Sequence, residues 1–234
     1  MKSKPEQLES RGYVNQGDES LYVDLSIEEK NLLLRSETPR ERTIGARLLR
    51  SERNDISIGY LINALLIEKK LYSKIEICDT LIFFGDCSVK PLINILGRIG
   101  KNQHKNVPDE DFKKFSYPLP RDISSRTLSY IGIEALPELL DFISNTQDEE
   151  RLSEAIDAIG YICFYNNVST YKELLGIFNK FDDNELIKWK VIRAMSGMPE
   201  SIKFLEDLFR DESTGNKLRR EAGRSIRMLK MRKL

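Results

Sequence analysis

His104 is the only histidine in the chain, so a catalytic triad or a histidine-based metal site would have to include it. It lies in a polar segment, and no serine or cysteine stands in a recognisable nucleophile motif. The one glycine-rich hint, Gly97-Arg-Ile-Gly100, has no preceding strand and is not a phosphate-binding loop. We therefore expect no catalytic residue, no cofactor and no bound metal.

An acidic run, Asp109, Glu110 and Asp111, is the one further hint of a metal site. A calcium loop needs oxygen ligands at fixed spacing and a glycine at its sharp turn. Here Lys113 occupies the expected third ligand position and the glycine is missing. We interpret this run as a solvated loop.

The three cysteines, Cys78, Cys87 and Cys163, all lie among apolar residues and form no C-x-x-C pair. This pattern predicts reduced thiols in the core of a cytoplasmic protein. Residues 1–10 lack the apolar core of a signal peptide, and no uncharged run approaches the about 18 residues of a membrane span. We therefore expect no membrane partner.

Basic and acidic residues number 37 each, so the overall charge is zero. The balance changes near the end of the chain, where residues 211–234 carry a net charge of +5. Trp189, Arg220 and Arg224 are candidate partner-binding residues in or near this basic region. Nucleic-acid binding is one interpretation, although a single tryptophan supplies few stacking platforms. A solubilising cap on the last repeat is another.

An apolar pattern recurs along the chain around six anchor residues, with apolar residues three or four positions away on the same helical face. The anchors are spaced by 32, 47, 31, 36 and 31 residues and are Leu49, Leu81, Leu128, Ile159, Met195 and Ile226. A second apolar helix pattern follows most anchors. The pattern predicts about eleven helices in pairs and a capping helix over 27–35. Ten residues are expected in the core: Leu81, Leu92, Leu96, Leu128, Leu139, Leu140, Ile159, Leu174, Met195 and Leu205.

The 47-residue spacing places an insertion between Gly97 and Pro120. Insertions in repeat proteins often lie on the binding face. Phe112, Phe115 and Tyr117 are aromatic residues in an otherwise polar segment, so they are candidate partner anchors. The alternative is that Phe115 and Tyr117 fill a gap between two repeats.

The segments LRREAGRSIRMLK and SSRTLSYIGIEALPELLDFI resemble short HEAT-like repeats, including those of phycobilin-lyase-type proteins. The resemblance covers residues 36–234 and implies an all-α fold, a right-handed α-solenoid (α-α superhelix) of five to six helix pairs. Residues 1–26 are then a loose tail, and 27–234 form the solenoid with its insertion at 97–120. The resemblance also implies that a recurring basic residue pairs with acidic groups of the neighbouring repeat, here Arg42, Lys74, Arg121, Lys188 and Arg219.

Proteins of this kind include scaffolds, adaptors, lyase subunits and nucleic-acid binders. We favour a cytoplasmic protein-binding scaffold or adaptor whose partner is another protein. The alternatives are nucleic-acid binding through the basic C-terminal repeats, and a lyase-like or chaperone-like subunit acting on a partner protein. A glycosylase-like role is the nearest enzymatic analogy.

Overall fold

The computed structural model describes residues 4–110 and 114–232, and within these ranges the chain is helical without a strand. The prediction of an all-helical protein is confirmed. The chain divides into two compact units, residues 1–98 and 99–234. None of the described helices is long and apolar enough to cross a membrane.

The first unit contains six α-helices in its described part. They are α1 (Pro5–Glu9), α2 (Ile27–Leu34), α3 (Pro39–Leu48), α4 (Asp55–Ile67), α5 (Leu71–Phe84) and α6 (Val89–Asn94). Helix α3 packs against α2 and α5, and α4 packs against α2, α5 and α6. Residues 4–26, expected to be a loose tail, contain α1 and a 3-10 turn at Asp18–Tyr22. Val14 from this segment is buried against Ile44 and Leu48.

The second unit contains seven α-helices in its described part. They are α7 (Ile123–Ile131), α8 (Leu136–Asn145), α9 (Glu149–Asn166), α10 (Tyr171–Lys180), α11 (Glu185–Ala194), α12 (Ile202–Arg210) and α13 (Asn216–Arg232). The helices that begin each pair pack in chain order, α7 on α9, α9 on α11 and α11 on α13. The second helices α8, α10 and α12 pack against α9, α11 and α13 respectively. Helices α9 and α11 therefore each contact both the preceding and the following first helix.

All six anchors are buried, as are nine of the ten predicted core residues. The exception is Leu140, which is half-buried because Leu136, Leu139 and Ile143 form the inward stripe of α8 and Leu140 lies at its edge. Among the cysteines, Cys163 is buried and Cys78 partly so, but Cys87 is exposed. The prediction for Cys87 is wrong because it lies in the turn between α5 and α6, outside both apolar stripes.

Glycines and capping side chains set several of the helix ends. Gly85 and Gly132 end α5 and α7 with positive φ, a conformation that glycine adopts without a Cβ penalty. Asp148 caps α9 by accepting a hydrogen bond from the Arg151 amide. Asn184 caps α11 by accepting a hydrogen bond from the Ile187 amide, and α13 begins at Asn216. Just before α13, Ser213 and Thr214 bond to the carboxylate of Asp211.

Candidate functional site: a tyrosine surface beside a folded insertion

Residues 99–120 of the insertion belong to the second unit, where helix side chains hold several of their backbone carbonyls. Lys217 donates to the Val107 carbonyl at 3.3 Å, and Arg220 donates to the Asp109 carbonyl at 2.8 Å. Arg224 donates to the carbonyls of Lys114 and Ser116. Because α13 supplies all these donors, the C-terminal helix fixes the path of the insertion.

Tyr117 is the residue of the insertion that enters the core. Its ring is buried 5.9 Å from Phe164 and 6.4 Å from Tyr161, centroid to centroid, and contacts Met228. The hydroxyl of Tyr165 donates to the Tyr117 carbonyl at 3.0 Å. Burial of this ring supports the interpretation that Tyr117 fills a gap between helices.

Gly160 in α9 makes room for the Tyr117 ring. A Cβ at this position would overlap with the Tyr117 hydroxyl and would lie 2.9 Å from the Ala194 Cα of α11. We expect Gly160→Ala to lower the free energy of unfolding by about 1–3 kcal/mol, as overpacked core substitutions do. Urea unfolding followed by circular dichroism measures this change.

Gly176→Ala in α10 is the matched control, because a Cβ there meets nothing within 4 Å. A helical glycine replaced by alanine in open space should raise stability by about 0.5–1 kcal/mol. If both variants were stabilised, Tyr117 would not be packed on α9 in solution.

A buried ion network joins α9 to α11. Lys190 is fully buried and lies 2.8 Å from the Glu154 carboxylate and 2.9 Å from that of Asp157. Arg193 completes the network with a 2.6 Å ion pair to Asp157. The Arg193 guanidinium also stacks on Trp189 at 4.3 Å from the ring centroid. Trp189, predicted as a partner-binding residue, is therefore buried as part of this network.

The ion pairs between repeats do not follow the basic positions that the family resemblance implied. Lys188 bonds to Asp182 just before its own helix, and Arg219 donates to the Phe209 carbonyl. Arg42 pairs with Glu68 at the end of the following helix, at 2.7 Å. Arg121 makes no ion pair with the described residues. The expectation is wrong for Lys188 and Arg219 because the position seven residues before an anchor lies near the start of the helix, where local partners are closer.

Burial raises the pKa of Glu154 to about 7. The positive charge of Lys190 lowers this pKa, whereas the negative charge of Asp157 raises it further. The second carboxylate oxygen of Glu154, Oε2, is buried without a hydrogen bond to the described residues. Burial alone would raise the pKa of Asp157 too, but the charges of Arg193 and Lys190 lower it. Glu154 is thus the network member that takes up a proton near neutral pH.

The raised pKa of Glu154 predicts a pH dependence of stability. The folded state holds this proton up to about pH 7, whereas an unperturbed glutamate loses it near its ordinary pKa of 4.5. The contribution of Glu154 to stability is therefore greatest below pH 4.5 and falls as the pH rises to about 7. We expect Glu154→Gln to remove this decrease. The free energy of unfolding of the variant, relative to that of the wild type, should therefore increase as the pH rises from 4.5 to about 7.

Urea unfolding of both proteins across this pH range measures the difference. Glu150→Gln on the same helix is the control, because its exposed pair with Lys105 is worth about 1 kcal/mol or less. A stability difference between the wild type and Glu154→Gln that stays constant with pH would contradict the assignment.

A cavity of about 280 Å³ lies between the insertion and helices α9 and α11. His104 forms one wall, with its ring edge-on to Trp189 at 5.3 Å between centroids. Burial and the charges of Arg193 and Arg121 lower the pKa of His104 to about 4, so the ring is neutral at neutral pH. Asp157 also lines the cavity, but it is engaged by Lys190 and Arg193. Its described lining includes neither a serine nor a cysteine, and His104 therefore has no nucleophile beside it there.

Three tyrosines form an exposed aromatic surface on α7 and α9, which we call the tyrosine surface: Tyr130, Tyr161 and Tyr165. Tyr130 is 52% exposed and Tyr165 is 48% exposed. The Tyr161 ring lies between them, 6.0 Å from Tyr130 and 4.5 Å from Tyr165, centroid to centroid. Partial burial and the two neighbouring phenols raise the pKa of Tyr161. The three rings therefore form one continuous aromatic cluster.

The spacing of the anchors and the packing of α7 on α9 explain how this surface forms. Tyr130 and Tyr161 each follow an anchor by two residues, and their helices α7 and α9 pack side by side. Tyr165 lies one helical turn after Tyr161 on the same face. The sequence prediction missed all three residues, although an aromatic residue two positions after successive anchors was a usable signal.

The predicted partner-binding residues occupy different environments. Phe112 lies outside the described residues. Phe115 is 58% exposed and Arg220 is exposed, whereas Tyr117, Trp189 and Arg224 are buried. Arg224 forms a buried ion pair with Glu221 at 2.7 Å.

Most basic residues of the C-terminal region are engaged within the chain. Six of them bond to protein atoms: Lys217, Arg219, Arg220, Arg224, Lys230 and Arg232. Lys217, Arg224 and Lys230 pair with acidic side chains, whereas the other three bond to uncharged groups.

No group of three or more metal-ligating side chains is placed to hold a metal ion within residues 4–110 and 114–232. No family model matches the sequence, and no curated protein shows significant similarity to it. The geometry of the described residues is therefore the basis for a functional proposal.

Proposed function

We propose that the chain is a cytoplasmic protein-binding scaffold or adaptor whose helix pairs are HEAT-like repeats of a right-handed α-solenoid. The packing of α7, α9, α11 and α13 in chain order supports the repeat arrangement in the second unit. In the first unit, α3 and α5 pack in the same way. Cys78, Cys87 and Cys163 form no disulfide with one another, as is typical of proteins in a reducing compartment.

The tyrosine surface is the observation that carries the proposal. Tyrosine combines a large apolar area with a hydroxyl group and loses little side-chain entropy on binding, so it is enriched at protein interfaces. Here the rings also support one another, and Tyr165 is fixed by its hydrogen bond to the insertion. A pre-ordered aromatic surface lowers the entropic cost of association.

Nucleic-acid binding is the second candidate, because aromatic rings also stack on bases. The basic residues of α13 favour protein over nucleic acid, since most of them already bond within the chain. Phe115 is an additional exposed aromatic group in the insertion and extends the candidate surface for a protein partner.

The proposal is tested by capture of interacting proteins from a native lysate, with nucleic acid recovered in parallel. We expect a Tyr130→Ala, Tyr165→Ala double variant to lose partners that the wild-type chain retains. Tyr171→Ala is the control, since it removes a tyrosine from α10 of the same unit. Equal partner recovery by the wild type and the double variant would contradict a role for the tyrosine surface.

A further inference from the structure

We propose that a groove beside helix α4 of the first unit binds a short, acidic amphipathic helix of a partner protein. This site is separate from the tyrosine surface, which belongs to the second unit, so the inference goes beyond the function proposed above. It draws on three observations: an apolar side of α4 that its neighbours leave open, a cavity along that side, and three cations around the cavity.

Helix α4 is apolar on more of its circumference than its neighbours cover. Asp55 is its only charged residue. It packs against α2, α5 and α6, and its buried stripe contains Ile58, Leu61 and Leu65. On another side of the helix, Ile67 is 76% exposed. A helix that is apolar all round is normally covered on every side, so α4 has an apolar side available to a further partner.

A cavity of about 520 Å³ lies along this open side, and we call it the α4 groove. Its lining includes one stripe of α4 at the helical spacing i, i+3, i+4 and i+7, together with Leu34 of α2. The stripe consists of Tyr60, Asn63, Ala64 and Ile67. It extends for about 10 Å, or two helical turns. Helices pack by placing the side chains of one between those of the other, so this stripe fits a second helix laid along α4.

An ion pair holds the backbone of two segments that line the α4 groove. Arg42 pairs with the buried carboxylate of Glu68 at 2.7 Å. Arg42 also donates to the Ser36 carbonyl at 2.8 Å, just after α2. The Glu68 carboxylate accepts the backbone amides of Lys69 at 2.8 Å and Lys70 at 2.7 Å, just after α4. The groove is therefore formed before a partner arrives, which lowers the entropic cost of binding.

The charge of the α4 groove favours an acidic occupant. Arg35, Lys69 and Lys70 line it with exposed side chains, and none of the three forms an ion pair with a described residue. Glu68 is the only acidic residue in the described lining, and Arg42 compensates its charge. The lining therefore retains three uncompensated positive charges. Complementary charge around an apolar site speeds association and fixes the orientation of the partner.

An acidic amphipathic helix satisfies both features of the α4 groove. Its apolar face would cover the stripe of α4, and its carboxylates would approach the three cations, as in other complexes where a helix occupies an apolar groove. A flat anionic membrane would also attract the cations, but it would leave a cavity lined by Tyr60 and Asn63 unfilled. The shape of the site therefore favours a peptide over a lipid surface.

The test uses the full chain and a short fluorescein-labelled peptide with leucine at the spacing i, i+3, i+4 and i+7 and glutamate or alanine elsewhere. Fluorescence anisotropy is the readout. One control peptide has lysine in place of each glutamate, and another has alanine in place of each leucine. We expect saturable binding of the acidic peptide that neither control reproduces. Binding should weaken as the NaCl concentration is raised, because salt screens exposed charges.

Lys69→Glu combined with Lys70→Glu tests the charge of the groove. This variant should bind the acidic peptide about tenfold more weakly or worse, because two attractions are replaced by two repulsions. Lys172→Glu combined with Lys203→Glu is the matched control. It changes the net charge of the chain equally, at exposed positions of the second unit, and should bind as the wild type does.

Ile67→Ala tests the apolar contact and should weaken binding about tenfold, because it removes area that the peptide would cover. Ile133→Ala is its control, since it truncates an exposed isoleucine of the second unit. Circular dichroism melts identify any variant that fails to fold. Lys69→Gln combined with Lys70→Gln would then replace the charge reversal, because it adds no negative charge beside Glu68.

Four outcomes would overturn the inference. Absence of saturable binding by the acidic peptide would refute it and leave the proposal for the tyrosine surface standing. Peptide binding that is insensitive to the variants at Lys69, Lys70 and Ile67 would place the site elsewhere. Binding of vesicles that contain phosphatidylserine, without peptide binding, would assign the groove to a membrane. Sedimentation of the chain as a dimer that Ile67→Ala dissociates would assign the groove to a second copy.

Discussion

Lys190→Met is expected to lower the free energy of unfolding by about 3–5 kcal/mol, because removing one partner leaves buried charges uncompensated. Lys190 is fully buried, and its ammonium group lies within 2.9 Å of both Glu154 and Asp157. Methionine fills a similar volume, so the loss of charge is the main change. The only tryptophan, Trp189, lies beside this network, so its fluorescence reports urea unfolding of the second unit.

Lys188→Met is the matched control on the same helix. Lys188 pairs with the exposed Asp182 and lies over the Phe178 ring, contacts that together are worth about 1 kcal/mol or slightly more. Similar losses in the two variants would indicate that the network between α9 and α11 is open to solvent.

Leu139→Ala is expected to lower stability by about 2–5 kcal/mol through the lost apolar contacts and the cavity that remains. Leu139 is fully buried on the inward stripe of α8. Thermal or urea unfolding followed by circular dichroism measures the loss.

Leu140→Ala removes the same atoms from the adjacent, half-buried position and should cost clearly less. An unchanged midpoint for Leu139→Ala, with a large loss for Leu140→Ala, would mean that α8 presents the other face to the core.

The helices could be predicted from sequence because apolar periodicity is a local property. A residue such as Leu128 and its neighbours three and four positions away must share one face of any helix they form. Leu139 and Leu140 show the limit of this argument. Both fit the periodic template, and only the position of α9 determines which one is fully covered.

The buried network was missed because the basic residue expected to pair with a neighbouring repeat was placed at Lys188, seven positions before the anchor, whereas the network uses Lys190 and Arg193. Glu154 and Asp157 lie five and two residues before the anchor Ile159, and Lys190 and Arg193 lie at the same offsets before Met195. Opposite charges at matching distances from two successive anchors were therefore present in the sequence. These charges predict a buried network only when α9 and α11 are known to lie side by side in register.

The tyrosine surface depends on the same long-range information. Tyr130 and Tyr161 are 31 positions apart in the chain, and their rings meet only because α7 packs against α9. Tyr117 could not be placed because an aromatic residue in a polar loop is compatible with either a core or a surface position. Tyr117 is buried because Gly160 leaves space for its ring, and the apolar periodicity of the helices gives no information about this space.

The bonds between α13 and the insertion have a consequence for folding order. Neighbouring helix pairs can form over short sequence separations, but Lys217 and Arg220 meet carbonyls that are 110 and 111 residues away. Contacts of such separation close large loops and form slowly compared with local ones. During synthesis, the insertion leaves the ribosome long before α13 exists to hold it. The insertion must therefore wait for α13, and these contacts of the second unit form only after α13 has been made.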